Sequence, residues 1–148
     1  LAVALDRHDL DALAGCFAVD YRNETPVHPA RSFVGREQVR RNWTEILGAV
    51  PDIATRVLRA AGDDESVWTE WEMSGTRRDG SRHWMRGVFI FGISGGSIRW
   101  GRMFLEPVDE SAIGIDAAVR ALALALAAAL GAEALAGADA AALRYRTR

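Results

Sequence analysis

The sequence predicts an α+β fold in which helices come first, an antiparallel meander second and a helical tail last. Three observations carry that expectation. Apolar residues recur at helical spacing as far as Val50, the period changes to two between Ile53 and about residue 107, and the composition turns to alanine and leucine after Asp109. The expected organisation is one domain over residues 1–108 and an alanine-rich tail over 109–148.

The opening segment, LAVALDRHDLDALAGCF, sets Leu1, Leu5, Leu10, Leu13 and Phe17 near helical spacing around a polar break at Asp6 to Asp9. It reads as two short helices. Asp9 is placed to cap the second, its carboxylate accepting from the free N–H groups of the next turn. The chain opens at Leu1 inside this apolar pattern, which reads as a missing beginning rather than as a signal peptide. After Tyr21, Pro26 and Pro29 disfavour helix and impose an extended, winding path.

Gly35 precedes REQVRRNWTEILGAV, where Val39, Trp43, Ile46, Leu47 and Val50 form one apolar helix face that Pro51 ends. Strands are expected at about 53–60, 66–76, 82–93 and 97–107, separated by turns at Gly62-Asp63-Asp64, Asp79-Gly80-Ser81 and Gly95-Gly96. The tail has high helix propensity and little packing information, with Asp116 and Arg120 at i,i+4 near its start. Its uncharged run from Ala121 to Ala132 is shorter than the about twenty residues that span a bilayer, so a docking helix or a partly ordered tail is expected and no membrane anchor.

A net charge of −2 argues against an electrostatic nucleic-acid binder, and no basic stripe is present. All 18 basic residues are arginine, which fits a GC-rich genome better than a demand for phosphate contacts. Cys16 is alone, which excludes an intramolecular disulfide framework and a cysteine-cluster zinc site; a cytoplasmic location is the simplest expectation. There is no HxxxH, HExxH or GxSxG pattern, so neither a metal site nor a serine nucleophile is expected.

The order of elements, together with LDRHDLDALAGCFAVDY, GREQVRRNW and MRGVFIFGISGGSIRWGRMFLEPV, resembles the SnoaL-like, NTF2-like (nuclear transport factor 2) superfamily, which includes polyketide cyclase-like proteins. The resemblance covers roughly residues 1–108. It implies a cone of curved antiparallel sheet packed against N-terminal helices, a ligand pocket at its wide end, and frequent homodimerisation through the sheet. It names no reaction, because one fold hosts many. Steroid isomerases of the superfamily use an aspartate before a proline, a tyrosine on the first helix and an aspartic acid on a later strand; those positions fall near Thr25, Leu1 and Phe89, so a standard ketosteroid isomerase is not implied. Epoxide hydrolases and polyketide cyclases of the superfamily place a pocket-facing aspartate on the last strand where Met103 stands here, so that acid is missing too, unless a bulge rotates Glu106 inward.

Strand parity bears on the pocket independently. Odd positions such as Trp71, Met73, Met85, Phe89 and Met103 are apolar, whereas Glu70, Glu72, Arg86, Arg102 and Glu106 are even. Burying an unpaired ion is costly, so the apolar face should be the inner one. Tyr21, Asn23, Trp43, Trp71, Met85, Phe89 and Met103 are therefore the expected pocket residues, suited to a small apolar or ring-containing organic molecule, although close mutual packing is the alternative. Glu70, Arg102 and Glu106 have two readings: part of a salt-bridged outer face with Trp68, Trp100 and Phe104, suited to a dimer contact, or a catalytic cluster turned inward by a bulge. The resemblance implies that Tyr21 to Arg31 follow the pocket mouth. His28 and Glu24 are its acid–base candidates, each with an ordinary loop role as the competing account. Any catalysis would be isomerisation, cyclisation, dehydration or hydrolysis without a cofactor, and the competing class is a non-catalytic binding or dimerisation module.

Overall fold

The computed structural model describes residues 1–145, in two compact units that divide between Val108 and Asp109. The first unit begins with α1 (Ala2–Asp6) and α2 (Leu10–Gly15). His8 turns the chain between them in a left-handed conformation, φ 54°, and its Nε2 lies 2.8 Å from the Ile53 carbonyl oxygen. Asp9 caps α2 by accepting from the Ala12 N–H at 2.9 Å.

The next element differs from the sequence expectation. Phe17 starts strand β1 (Phe17–Glu24) and does not end a helix. Its burial does not alternate cleanly, because the register with its partner shifts between Phe17 and Arg22. A 3₁₀ turn (Pro29–Arg31) and the two-residue β2 (Phe33–Val34) lead into α3 (Arg36–Ala49), which ends before Pro51. Four long strands follow as β3 (Ala54–Gly62), β4 (Ser66–Thr76), β5 (Arg82–Ser94) and β6 (Ser97–Pro107).

These strands form one curved, six-stranded sheet of order β2-β1-β6-β5-β4-β3. The meander from β3 to β6 is antiparallel, as is β1 with β2, but β1 runs parallel to β6. The helices cover one face, with α1 against β3, α3 against β1 and α2 against α3. Leu13, only 1% exposed, anchors a core with Leu5, Phe17, Val39, Trp71 and Phe91. Burying each such side chain stabilises the fold by about 1.5–3 kcal/mol.

The second unit contains α4 (Ile115–Tyr145). Val119, Leu122, Leu124, Leu126 and Leu130 are all exposed along it. The expected Asp116–Arg120 ion pair is replaced by a bond from Arg120 Nε to the Asp116 main-chain carbonyl at 3.3 Å. No helix among the described residues is long and apolar enough to cross a membrane.

Candidate functional site

Between the inner face of the sheet and α1 and α3 lies a cavity of about 260 Å³. Period two in the strands and 3.6 in the helix bring its wall together: Tyr21 and Asn23 come from β1, Trp43 and Ile46 from α3, Trp71 and Met73 from β4, Met85, Phe89 and Phe91 from β5, and Met103 and Leu105 from β6. All seven residues expected to face a pocket thus line one cavity. These side chains leave a void between them. Trp71 meets Phe89 edge-on with centroids 5.9 Å apart, and Phe89 stacks on Phe91 at 5.4 Å.

Most polar atoms on this wall are committed to protein partners. Trp71 Nε1 donates to Thr69 Oγ1 at 2.7 Å. Tyr21 Oη donates to Asn23 Oδ1 at 3.1 Å, and Asn23 Nδ2 donates to Thr25 Oγ1 at 3.2 Å. Burial pushes the Tyr21 phenol above its ordinary pKa and keeps it neutral. Gly101 makes room for that hydroxyl, because a Cβ there would lie 2.5 Å from Tyr21 Oη.

The acid–base candidates lie off this wall. His28 Nε2 pairs with Glu106 Oε1 at 2.9 Å, Glu24 with Arg102 Nε at 3.2 Å, and Glu70 with Arg59 Nε at 3.7 Å. None of His28, Glu24, Glu70, Arg102 and Glu106 lines the cavity, and Glu70, Arg102 and Glu106 do not meet as one inward cluster. The physical reason is the position of the irregularity in β6. Gly92 pairs with Trp100 and Ile93 with Ile98, so the extra residue is Arg99, and parity from Trp100 onward stays in step with β5. Glu106 therefore remains opposite Arg86, on the outer face.

That outer face carries an ion-pair lattice. Glu72 accepts from Arg86 Nε at 2.6 Å, Arg56 Nη2 at 2.7 Å and Trp84 Nε1 at 3.2 Å, and these donors hold its carboxyl below the usual glutamate range. Trp68 and Trp100 remain 53% and 39% exposed beside it.

The cavity is lined by Arg31, which the sequence reading set at the pocket mouth, and by two polar residues that sequence reasoning did not assign to it, Asn42 and His83, whose Nδ1 lies 3.2 Å from Arg77 Nη2. A signal for His83 was present, since it shares the odd parity of Met85 and Phe89. A signal for Asn42 was its place beside Trp43 on α3, three residues after Val39 and four before Ile46.

Solved structures share this architecture at low identity. A protein of ketosteroid isomerase-like fold from Catenulispora acidiphila, solved with trimethylamine, is 17% identical, with 68% of this chain and 78% of that one covered at a TM-score of 0.60. An NTF2-like protein from Anabaena variabilis is 16% identical over 72% and 81%, with a TM-score of 0.62. A protein assigned as a SnoaL-like polyketide cyclase from a Jannaschia species is 15% identical over 66% and 72%, at 0.57. No curated protein matches the sequence. The model of the SnoaL-like domain matches residues 1–100, so the strands, helices and cavity above are those of a chain that belongs to the SnoaL-like domain family.

Proposed function

We propose that the first unit binds a small, ring-containing organic molecule in the cavity between sheet and helices. One observation carries this reading: the aromatic and thioether side chains of Trp43, Trp71, Met85, Phe89 and Met103 surround a void of about 260 Å³. Ligand pockets typically span about 300–1,000 Å³, so a compact ligand fits best. A melting-temperature screen across polycyclic ketones, phenols, epoxides and steroids tests it. A true ligand at a hundredfold excess over its Kd stabilises the protein by about 2.7 kcal/mol, and Met103→Trp, which fills the void, should abolish that gain. Binding that survives Met103→Trp would locate the ligand elsewhere.

Acid–base chemistry without a cofactor is the catalytic extension of this reading; it would have to act from outside the cavity lining, which includes neither His28 nor Glu24, and His28 is its stronger candidate. Glu106 at 2.9 Å orients the imidazole, an arrangement suited to proton transfer, whereas Glu24 is engaged by Arg102. Turnover that is unchanged in His28→Ala would remove His28 from the mechanism.

A second reading rests on the outer face, where exposed Trp68 stands opposite buried Ile90 and Trp100 is exposed on β6. It supports a homodimer through the sheet. Sedimentation of the wild-type protein should then show a dimer that Trp68→Glu dissociates; a wild-type monomer would reject this reading.

A further inference from the structure

The charge of the cavity wall is one-sided. No aspartate or glutamate lines it, whereas Arg31, a solvent-exposed residue, does, and the Arg31 guanidinium has no hydrogen bond or ion pair among the described residues. Carboxylates on neighbouring elements are already engaged: Glu106 by His28, Glu24 by Arg102, and Asp52 by the Thr76 N–H at 2.7 Å. An arginine left without a counterion beside an apolar void is placed to receive one from a ligand, because a guanidinium presents a planar fork of donors that matches a carboxylate.

His83 adds a second donor. A guanidinium carries no acceptor, so Arg77 Nη2 can only donate to His83 Nδ1 at 3.2 Å. That contact leaves the ring proton on Nε2 and makes the neutral imidazole an N–H donor. Burial, reinforced by the Arg77 charge, lowers the His83 pKa and favours this neutral form.

The fold brings the two groups to the same end of the sheet. Arg31 closes the 3₁₀ turn whose N-cap is His28, and His28 is bonded to Glu106 near the end of β6. There Pro107 pairs with Met85, two residues from His83.

We propose that the ligand of this cavity is an aromatic or alicyclic carboxylate, its ring against the aromatic wall and its charged oxygens received by Arg31 and by Nε2–H of His83. The proposal rests on the ligand-binding reading above and adds the substrate class. It runs against a cationic ligand such as trimethylamine, which the Catenulispora protein holds, because the unpaired Arg31 repels one.

Matched sets of a carboxylic acid, its neutral amide and the corresponding trimethylammonium compound, on one-, two- and three-ring scaffolds, test the assignment by isothermal titration calorimetry at neutral pH. On the best scaffold the acid should bind at least about tenfold more tightly than the amide, and the ammonium compound most weakly. Arg31→Ala should reduce the acid to the affinity of the amide and leave the amide unchanged, Arg31→Lys should keep part of the preference, and His83→Phe should weaken the acid by a smaller factor. Melting temperatures of the variants, measured alongside, establish that each is folded. An amide that binds as well as the acid, or an acid preference that survives Arg31→Ala, overturns the anion assignment and leaves the ligand-binding reading standing. If no member of any set binds, both fall.

Discussion

The two faces of the sheet are built from the same strands, one residue apart, yet the structure uses them in opposite ways. On the inner face Trp71, 3% exposed, packs edge-on to Phe89 and sends its N–H to Thr69. Three residues earlier on the same strand, Trp68 faces outward and is 53% exposed. Charge follows the same division. Glu72 gathers Arg86, Arg56 and Trp84 outside, while the cavity wall holds no carboxylate and one arginine without a partner among the described residues. Where charges can be paired in contact with water, the fold pairs them. Where it keeps a void, it surrounds the void mostly with apolar groups and leaves the solvent-exposed Arg31 without a protein counterion among the described residues.

The largest expected effect is the contrast between the two tryptophans. Trp71→Ala should cost about 3–5 kcal/mol in urea unfolding, from lost burial and an enlarged cavity. Trp68→Ala in the monomer should stay within about 0.5 kcal/mol, as an exposed substitution does. Equal costs would mean that the outer face is buried in solution, against another copy.

The glycines sharpen the same contrast at a smaller scale. Gly101→Ala would drive a Cβ into Tyr21 Oη and disturb the chain of bonds from Tyr21 through Asn23 to Thr25, at a cost of about 1–3 kcal/mol. Gly92→Ala would place a Cβ 1.9 Å from Trp100 Nε1, but there the indole lies on the half-exposed outer face and can swing into solvent. Its expected signature is a red-shifted tryptophan emission with a stability loss below that of Gly101→Ala. The reverse order would show that Trp100 is held in place by more than this contact.

The smallest effect concerns acid. Because the Glu72 pKa is held below its ordinary value, the carboxylate contributes stability above the unfolded-state pKa of about 4.3, and that contribution disappears as pH falls through the folded-state value. Glu72→Gln should be slightly less stable at neutral pH and should lose less stability than wild type on acidification below about pH 4.3. Parallel acid unfolding curves for the two proteins would show that the lattice adds nothing.

Much of the fold was legible because its signals are local. A polar break and an aspartate marked α1 and α2, an apolar stripe ended by Pro51 marked α3, and period two with glycine turns marked β3 to β6 to within a residue or two. Strand β1 was not legible as a strand. Phe17 continues the helical spacing of Leu13, the alternation after it is broken by an irregularity, and its parallel partner β6 lies about eighty residues away. The residues of the cavity wall followed from parity, and His83 obeys the same parity, but its position at a strand start gave no reason to weigh it. Neither the pairing of His28 with Glu106 nor the engagement of Glu24 by Arg102 could be read from spacing, since each joins residues 78 positions apart.

By itself the sequence determined α1 to α3 and β3 to β6, which face of α3 and of β4 to β6 turns inward, and that these inward faces are largely apolar and aromatic, because periodicity records the direction of burial residue by residue. Only the tertiary structure decided that those faces stand far enough apart to leave a cavity, that the bulge falls at Arg99 and keeps Glu106 outside, and that Arg31 and His83 share one end. Volume, register and the pairing of distant charges depend on how elements far apart in the chain meet, and local spacing carries no record of that.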